Sequence, residues 1–411
     1  MCDIKIPFMK NFLFVVGILF APLLLATSQL PPWASPSQWS SLECYAKTIT
    51  AGELEERLQK IYVPDGSWKN WITITPQAAW IEPYPGAGQC IELPLAASPD
   101  LCQRVPRYWK KHPEAHATQN QPLTGLRIVL DPGHLGGAWS KMEERWFRIG
   151  HSRPVEEGTM ALMVAKHLAK RLRALGAEVC FTRIHNGPTT PLRPSQLRQA
   201  AIAEFNKEHV CWTSRQLKKK EEMLFYRTAE IHHRAVLINQ KLQPDLVICM
   251  HFNAEDWNDP HRPTLTTENH LHFLIGGDFN ASELSTEEDR YTMLRKLLGR
   301  SHKEEVGVAT AVAKTFVAAT GLPPFIYHNP LKARPASENP YLWNRNLLAT
   351  RLIEAPVLYC EAYVMNNAQV FQRIQLGDYK GMRAIGCQKF PSIYREYADA
   401  VAQGLCDYFR K

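Results

Sequence analysis

LRIVLDPGH, Leu126 to His134, is an apolar run that stops on Asp131, Pro132 and Gly133 and then delivers a histidine. A run bounded by turn residues reads as a buried strand, and it leaves His134 beyond the strand's carboxyl end. Two later stretches have the same form: DLVICMH, Asp245 to His251, ends in a histidine, and PVLYCE, Pro356 to Glu361, ends in a glutamate. In open α/β sheets, ligands bind outside the carboxyl ends of the strands. Three such strands side by side would bring His134, His251 and Glu361 to one edge, and that constellation reads as a site.

Downstream of His134, Gly136, Gly137 and a mixed charged segment lead into a helical pattern that starts near Glu157. Leu162, Val164, Ala165, Leu168, Leu172 and Leu175 share one broad apolar face, and Gly176 ends it. Ala177 to Thr182 (AEVCFT) is the next strand. This strand, loop, helix, strand order predicts an α/β fold over residues 125–411, with a mixed, mostly parallel sheet flanked by helices.

Upstream, the order is different. Lys5 and Lys10, an apolar run from Phe12 to Ala26 and the small residues Ala26, Thr27 and Ser28 form the pattern of a secretory signal over residues 1–28, cut after Ser28. The rival is an uncleaved anchor, but Pro22 interrupts the run and a spanning helix needs about 20 apolar residues. After signal removal no stretch is expected to span a membrane. Residues 29–41, rich in Pro and Ser, read as a linker. Residues 42–115 read as a small N-terminal α+β module: Leu54, Leu58 and Ile61 recur at helical spacing, while WITIT, AAWIEP and QCIELPL alternate like short strands. A second linker covers 116–124. Trp68, Trp71 and Trp80 are read as packing in a small core in preference to stacking on sugars.

With 45% hydrophobic and 21% charged residues, the 411-residue chain is ordinary globular material, and collagen, coiled-coil and disordered readings drop out. A formal charge of +8 suits nucleic acid, a membrane surface or an acidic polymer. Export argues against nucleic acid, and the basic residues are scattered apart from Lys218 to Lys220, which read as a solvated helix face. An anionic cell-wall polymer fits both charge and compartment. Removing Cys2 with the signal leaves nine cysteines, an odd number without the spacing of a disulfide scaffold. Cys180, Cys249 and Cys360 sit in strand runs and read as small buried hydrophobes. A pair among Cys44, Cys90 and Cys102 is open, and the spacing does not choose one.

The segments LDPGHLGG, EEGTMALMVAKHLAKRLRALGAEVCFTR, DLVICMHFNA and RLIEAPVLYCEAYVMNN, in that order, resemble the zinc-dependent N-acetylmuramoyl-L-alanine amidases of the Amidase_3 type over about Gly125 to Phe409. The resemblance implies a peptidoglycan hydrolase with Zn2+ bound by His134, Glu157 and His251, and with Glu361 as catalytic acid/base. Glu156 competes with Glu157, but the family's apolar helix positions fall on Leu162, Val164, Ala165 and Leu168 only when counted from Glu157. Arg351 matches the arginine before the catalytic glutamate and is read as holding a substrate carboxylate or the oxyanion, or else as a surface residue. Arg234 and Asn239 match helix positions before DLVICMH. Three departures stand out: Leu135 is an added residue, Gly158 replaces a lysine, and Phe252 replaces a small residue. None removes a ligand.

The chemistry stands beside the resemblance. Two histidines and a carboxylate with an open fourth position are a catalytic zinc set, and a second carboxylate can shuttle the proton. His232, His233, His261, His270 and His272 lack such partners and are read as surface or supporting groups. A wall-binding or regulatory protein on an inactive amidase fold would lack a ligand or the glutamate, and a zinc peptidase is expected to carry an HExxH helix, which is absent. Two insertions interrupt the family pattern, Asn186 to Glu222 and Asp278 to Lys303. In related amidases an inserted helix can cover the zinc until a partner displaces it. Asp278 to Lys303, with Glu283, Glu287, Glu288 and Asp289 beside Met293, Leu294, Leu297 and Leu298, therefore carries two expectations: an autoinhibitory lid released by an activator protein, or an ordinary surface helix.

Overall fold

The computed structural model describes residues 31–34, 36–113, 117–257, 259 and 262–410. The signal-like segment 1–28, and His261, lie outside the described residues. Among the described residues no helix is long and apolar enough to cross a membrane.

The N-terminal module opens with helix α1 (Ala51–Arg57), capped by Thr50, whose hydroxyl accepts from the Glu53 amide. Strands β1 (Ile72–Ile74), β2 (Ala78–Ile81) and β3 (Ile91–Pro94) then pair antiparallel. Trp68 and Trp71 are buried in the core of this module while Trp80 is 41% exposed, so only two of the three tryptophans pack as expected. Cys44, Cys90 and Cys102 are all free.

The main sheet has seven strands: β4 (Arg127–Pro132), β5 (Glu178–Phe181), β6 (Leu246–Asn253), β7 (Leu271–Ile275), β8 (Arg334–Pro335), β9 (Leu342–Asn344) and β10 (Val357–Val364), in the spatial order β8-β9-β7-β10-β6-β4-β5. The β9-β7, β10-β6, β6-β4 and β4-β5 pairings are parallel, and the β8-β9 and β7-β10 pairings are antiparallel. A mixed, mostly parallel sheet is thus what the chain forms. The three stretches that end in His134, His251 and Glu361 are its adjacent central strands β4, β6 and β10.

Alternation along these strands sorts their side chains between two cores. Ile128, Leu130, Ile248, Met250, Leu358 and Cys360 point to the face covered by helices α2 (Glu157–Ala174), α7 (His302–Thr320), α9 (Ala368–Gln375) and α10 (Ile393–Phe409). Val129, Val247, Cys249 and Val357 point to the other face, against Ala235 of helix α5 (Glu230–Val236), Ile238 and Ala349 of helix α8 (Leu348–Leu352). Cys249 and Cys360 are fully buried, as their strand positions require. Helix α2 runs from Glu157 and ends where Gly176, at φ +94°, lets the chain turn into β5.

The insertions are built into the body. Residues 186–222 carry helices α3 (Arg198–Lys207) and α4 (Ser214–Met223), whose Ala201 and Leu217, with Leu197 just before α3, enclose a satellite core with Phe225 and Leu135. Residues 278–303 carry helix α6 (Glu287–Gly299), which does not form the lid entertained above. Its apolar face, Met293, Leu294, Leu297 and Leu298, completes the core of the N-terminal module with Leu42, Leu54, Leu58 and Tyr62. The first linker and the end of the N-terminal module are likewise anchored. Trp39 donates from its indole to Glu287, Trp109 is buried beside Val129, and the Lys110 amide donates to Asp245.

Candidate metal centre

His134 follows β4 with φ +56°, a left-handed conformation uncommon for a side chain with a Cβ. Two arginines brace the turn. Arg234 donates to the carbonyls of Pro132 and His134 at 2.9 and 3.1 Å, and Arg183 donates to that of Gly133 at 2.9 Å. Gly133 is obligatory here, since a Cβ would stand 2.2 Å from Cε1 of His251. Arg234 thus acts on the loop that carries His134. Asn239 does similar work for β10, donating to the Leu352 carbonyl and accepting from the Glu354 amide.

The resulting cluster is tight. Nε2 of His134 lies 3.2 Å from Oε2 of Glu157, and Nδ1 of His251 lies 3.1 Å from Oε1. One ligand atom from each of the three residues falls within 4.8 Å of the other two. His134 turns its Nδ1 towards Glu143, 3.8 Å away, and Tyr359 stacks on His251 at 4.5 Å. A carboxylate behind a ligand histidine fixes its ring and tautomer. Glu156, the competitor, faces away: its carboxylate accepts from the Thr159 hydroxyl and the Gly137 amide.

Glu361 lies on β10 in register with His251 of β6 and His272 of β7. It lines a cleft of about 300 Å³ together with His134, Glu157 and His251. Burial and the Glu157 charge push its carboxyl up to about 8. Burial alone would lower His134, but Glu157 and Glu143 outweigh it and raise the imidazole to about 9. Burial also lowers His251. Glu157, which burial would raise, is held well below the usual carboxylate range by the two histidines. A buried carboxylate between two imidazoles, one of them holding a proton, is a donor set that suits a divalent ion of the zinc type, because the ion takes the place of that proton.

Arg351 is not brought to this cleft. It pairs with Asp289 of α6 at 2.9 Å and lines a separate cavity with Trp33 and His232. The guanidinium groups that do line the cleft belong to Arg145 and Arg345. Neither carried a signal in the sequence: Arg145 lies in an irregular segment and Arg345 follows the short strand β9. The acidic residues of 278–303 are also absent from the cleft lining, since Glu288 pairs with His232 at 2.8 Å and Glu283 caps Asn280. His232, His270 and His272 are buried; His270 meets Glu255 at 2.8 Å and His272 meets the Tyr327 hydroxyl at 3.2 Å.

The departures noted in the sequence explain one another. Added Leu135 is fully buried against the helices of the first insertion, and Gly136 then presses on Gly158, where a Cβ would stand 2.3 Å from the Gly136 nitrogen. A lysine has no room at 158. Phe252 fills the opposite core against Tyr397 at 5.4 Å.

No protein-family model and no curated protein matches the chain. Solved structures that are similar to it include the N-acetylmuramyl-L-alanine amidase Ami1 from Mycobacterium smegmatis, at 16% identity and TM-score 0.38, covering 70% of this chain and 98% of that one. The CwlD amidase from Clostridioides difficile, solved in complex with the GerS lipoprotein, has 13% identity and TM-score 0.37 over 70% of this chain and 99% of its own. The N-acetylmuramoyl-L-alanine amidase AmiC2 of Nostoc punctiforme has 14% identity and TM-score 0.36 over 70% and 99%.

Proposed function

We propose that this chain is an exported, zinc-dependent N-acetylmuramoyl-L-alanine amidase of the cell envelope, which hydrolyses the amide between the lactyl group of muramic acid and the first alanine of the stem peptide. The observation that carries this reading is the convergence of His134, Glu157 and His251 on one point beside Glu361. His134, Glu157 and His251 would hold the ion. Zinc, when bound, supplies a Lewis acid that polarises the amide carbonyl and makes a nucleophile available near neutral pH.

The remaining work falls to the protein's own groups. With a cation beside it to favour the ionised form, Glu361 would accept a proton from the attacking water at its carboxylate and return it to the leaving amine nitrogen. Glu143 holds the His134 ring, Arg234 and Arg183 hold its backbone, and Tyr359 holds the face of His251. Arg145 and Arg345 flank the reacting centre as fixed positive charges.

Mass spectrometry of muropeptides after digestion by purified protein tests the reading. The expected products are peptides with a new amino-terminal alanine and glycans with intact muramic acid, lost on chelation and restored by zinc. Cleavage within the stem peptide, or products unaffected by chelation, would overturn it.

A further inference from the structure

The first insertion carries an apolar tip that its own core does not use. Ala201 and Leu217 turn the α3–α4 pair towards the satellite core, and the loop between the helices, residues 208–213, lies at the far end. His209 takes φ +54° there, while the Val210 amide donates to the Phe205 carbonyl at 3.0 Å and the His209 amide to that of Asn206 at 3.2 Å, which closes α3. Thr213 then caps α4 by accepting from the Gln216 amide. This defined turn holds Val210, Cys211 and Trp212 out to solvent, with Val210 46% and Trp212 36% exposed. Single exposed apolar residues are ordinary on a protein surface, but three in succession at a loop tip point to a use.

Trp212 stacks on Phe205 at 6.3 Å, and Phe205 itself packs against the satellite core, so the indole is positioned by the fold. Its N–H meets no acceptor among the described residues. Cations flank the tip on both helices. The carboxylates at the end of α3, Glu204 and Glu208, are both taken by Lys220, at 2.6 and 3.3 Å, and Lys219 pairs with Glu144. Lys207, Arg215 and Lys218 are exposed and meet no carboxylate among the described residues. Of the basic run Lys218 to Lys220, only the first therefore keeps its charge unpaired.

We propose that the α3–α4 tip docks the protein on an anionic lipid surface, with Val210 and Trp212 entering the boundary between headgroups and acyl chains and Lys207, Arg215 and Lys218 facing the lipid phosphates. An indole with an apolar body and a free N–H suits that boundary, where one end is dry and the other wet. Each cation close to a negatively charged leaflet strengthens binding about fivefold. The size of the tip favours lipid over a protein partner. A stable protein interface takes about 800 Å² from each side, far more than three side chains on one turn offer. A bilayer has no such threshold, since apolar burial and attraction to anionic lipid add residue by residue.

The test uses the processed form of the protein, residues 29–411, because the apolar run Phe12 to Ala26 would bind lipid by itself. Co-sedimentation with phosphatidylcholine vesicles containing about a third phosphatidylglycerol is expected to exceed that with phosphatidylcholine alone. Brominated lipid in the anionic vesicles should quench a component of the tryptophan emission that Trp212→Phe removes. Val210→Ser combined with Trp212→Ser should weaken partitioning about tenfold or more, and Lys207→Gln, Arg215→Gln and Lys218→Gln should each weaken it about fivefold on the anionic vesicles. All these positions are exposed, so Tm should stay at the wild-type value and a loss of binding reports on the tip. Equal sedimentation with both kinds of vesicle, wild-type partitioning by the double serine variant, or quenching that Trp212→Phe leaves unchanged overturns the proposal. Binding to lipid-free sacculi that disappears in the double serine variant, with none to vesicles, overturns it in favour of a wall-binding tip.

Discussion

Helices α2 and α6 begin alike and end up with opposite uses. Each has acidic side chains in its first turn, one in α2 and three in α6, where they complement the positive end of the helix, and each carries an apolar face. In α2 the carboxylate of Glu157 stands at the carboxyl edge of the central strands and meets two histidines. In α6 the carboxylates are consumed by the rest of the protein: Glu287 accepts from Trp39, Glu288 pairs with His232 and Asp289 pairs with Arg351. The difference teaches that an acidic helix start joins a candidate metal site through its position on the sheet edge. Composition alone does not distinguish the two.

The largest expected effect strikes this contrast directly. Glu157→Ala and His251→Ala should lose zinc and fall to background hydrolysis, whereas Glu288→Ala should retain a full complement, as read by elemental analysis of the purified variants. Full zinc in His251→Ala would dissolve the distinction. Next in size, Glu361→Gln should keep zinc and fold but lose about 10² to 10⁴ in rate. Turnover within a few-fold of the wild type would move the acid/base role to another group in the cleft.

On the α6 side the expected loss is one of stability. Leu297 is fully buried, so Leu297→Ala should cost about 2–5 kcal/mol in denaturant unfolding, with no gain in basal hydrolysis. A variant that unfolds normally and hydrolyses faster would restore the lid.

The smallest effect is in protons. In the metal-free protein the His134 pKa stands at about 9, above its ordinary 6.5. The pairing with Glu157 therefore stabilises fully below about pH 6.5, and that contribution fades as pH rises through about 9. Zinc uptake at pH 7.5 should release protons, because a ligand imidazole must be neutral, and the release should vanish well above pH 9. Calorimetry in buffers of different ionisation enthalpy measures it. A release that does not change with pH would remove His134 from the ligand set.

Much of the centre was legible before any coordinates. His134, His251 and Glu361 each close an apolar run, and Glu157 opens a helix whose apolar spacing sets its phase. The shared side of the sheet was also implicit, since His251 has the parity of Val247 and Cys249, and Glu361 that of Val357 and Tyr359. What was not legible is the presence of Arg145 and Arg345 in the cleft, since neither has a periodicity to announce it. Arg351 was misleading for a related reason: its place in a sequence pattern says nothing about which acid it will meet, and it meets Asp289.

The sequence by itself determined the central strands that lead to His134 and carry His251 and Glu361, and the order of the chemistry along the chain, because hydrophobic period and turn residues are local properties that the backbone reads directly. Only the tertiary structure decided which helix covers what. Both α6 and the segment around Leu135 carry apolar residues that must be buried, and the pattern does not say against which surface. Packing settled it: α6 closed the core of the N-terminal module, and Leu135 closed the core of the first insertion. Long-range partners are chosen by shape and by the satisfaction of buried polar groups, and neither exists until the chain has folded.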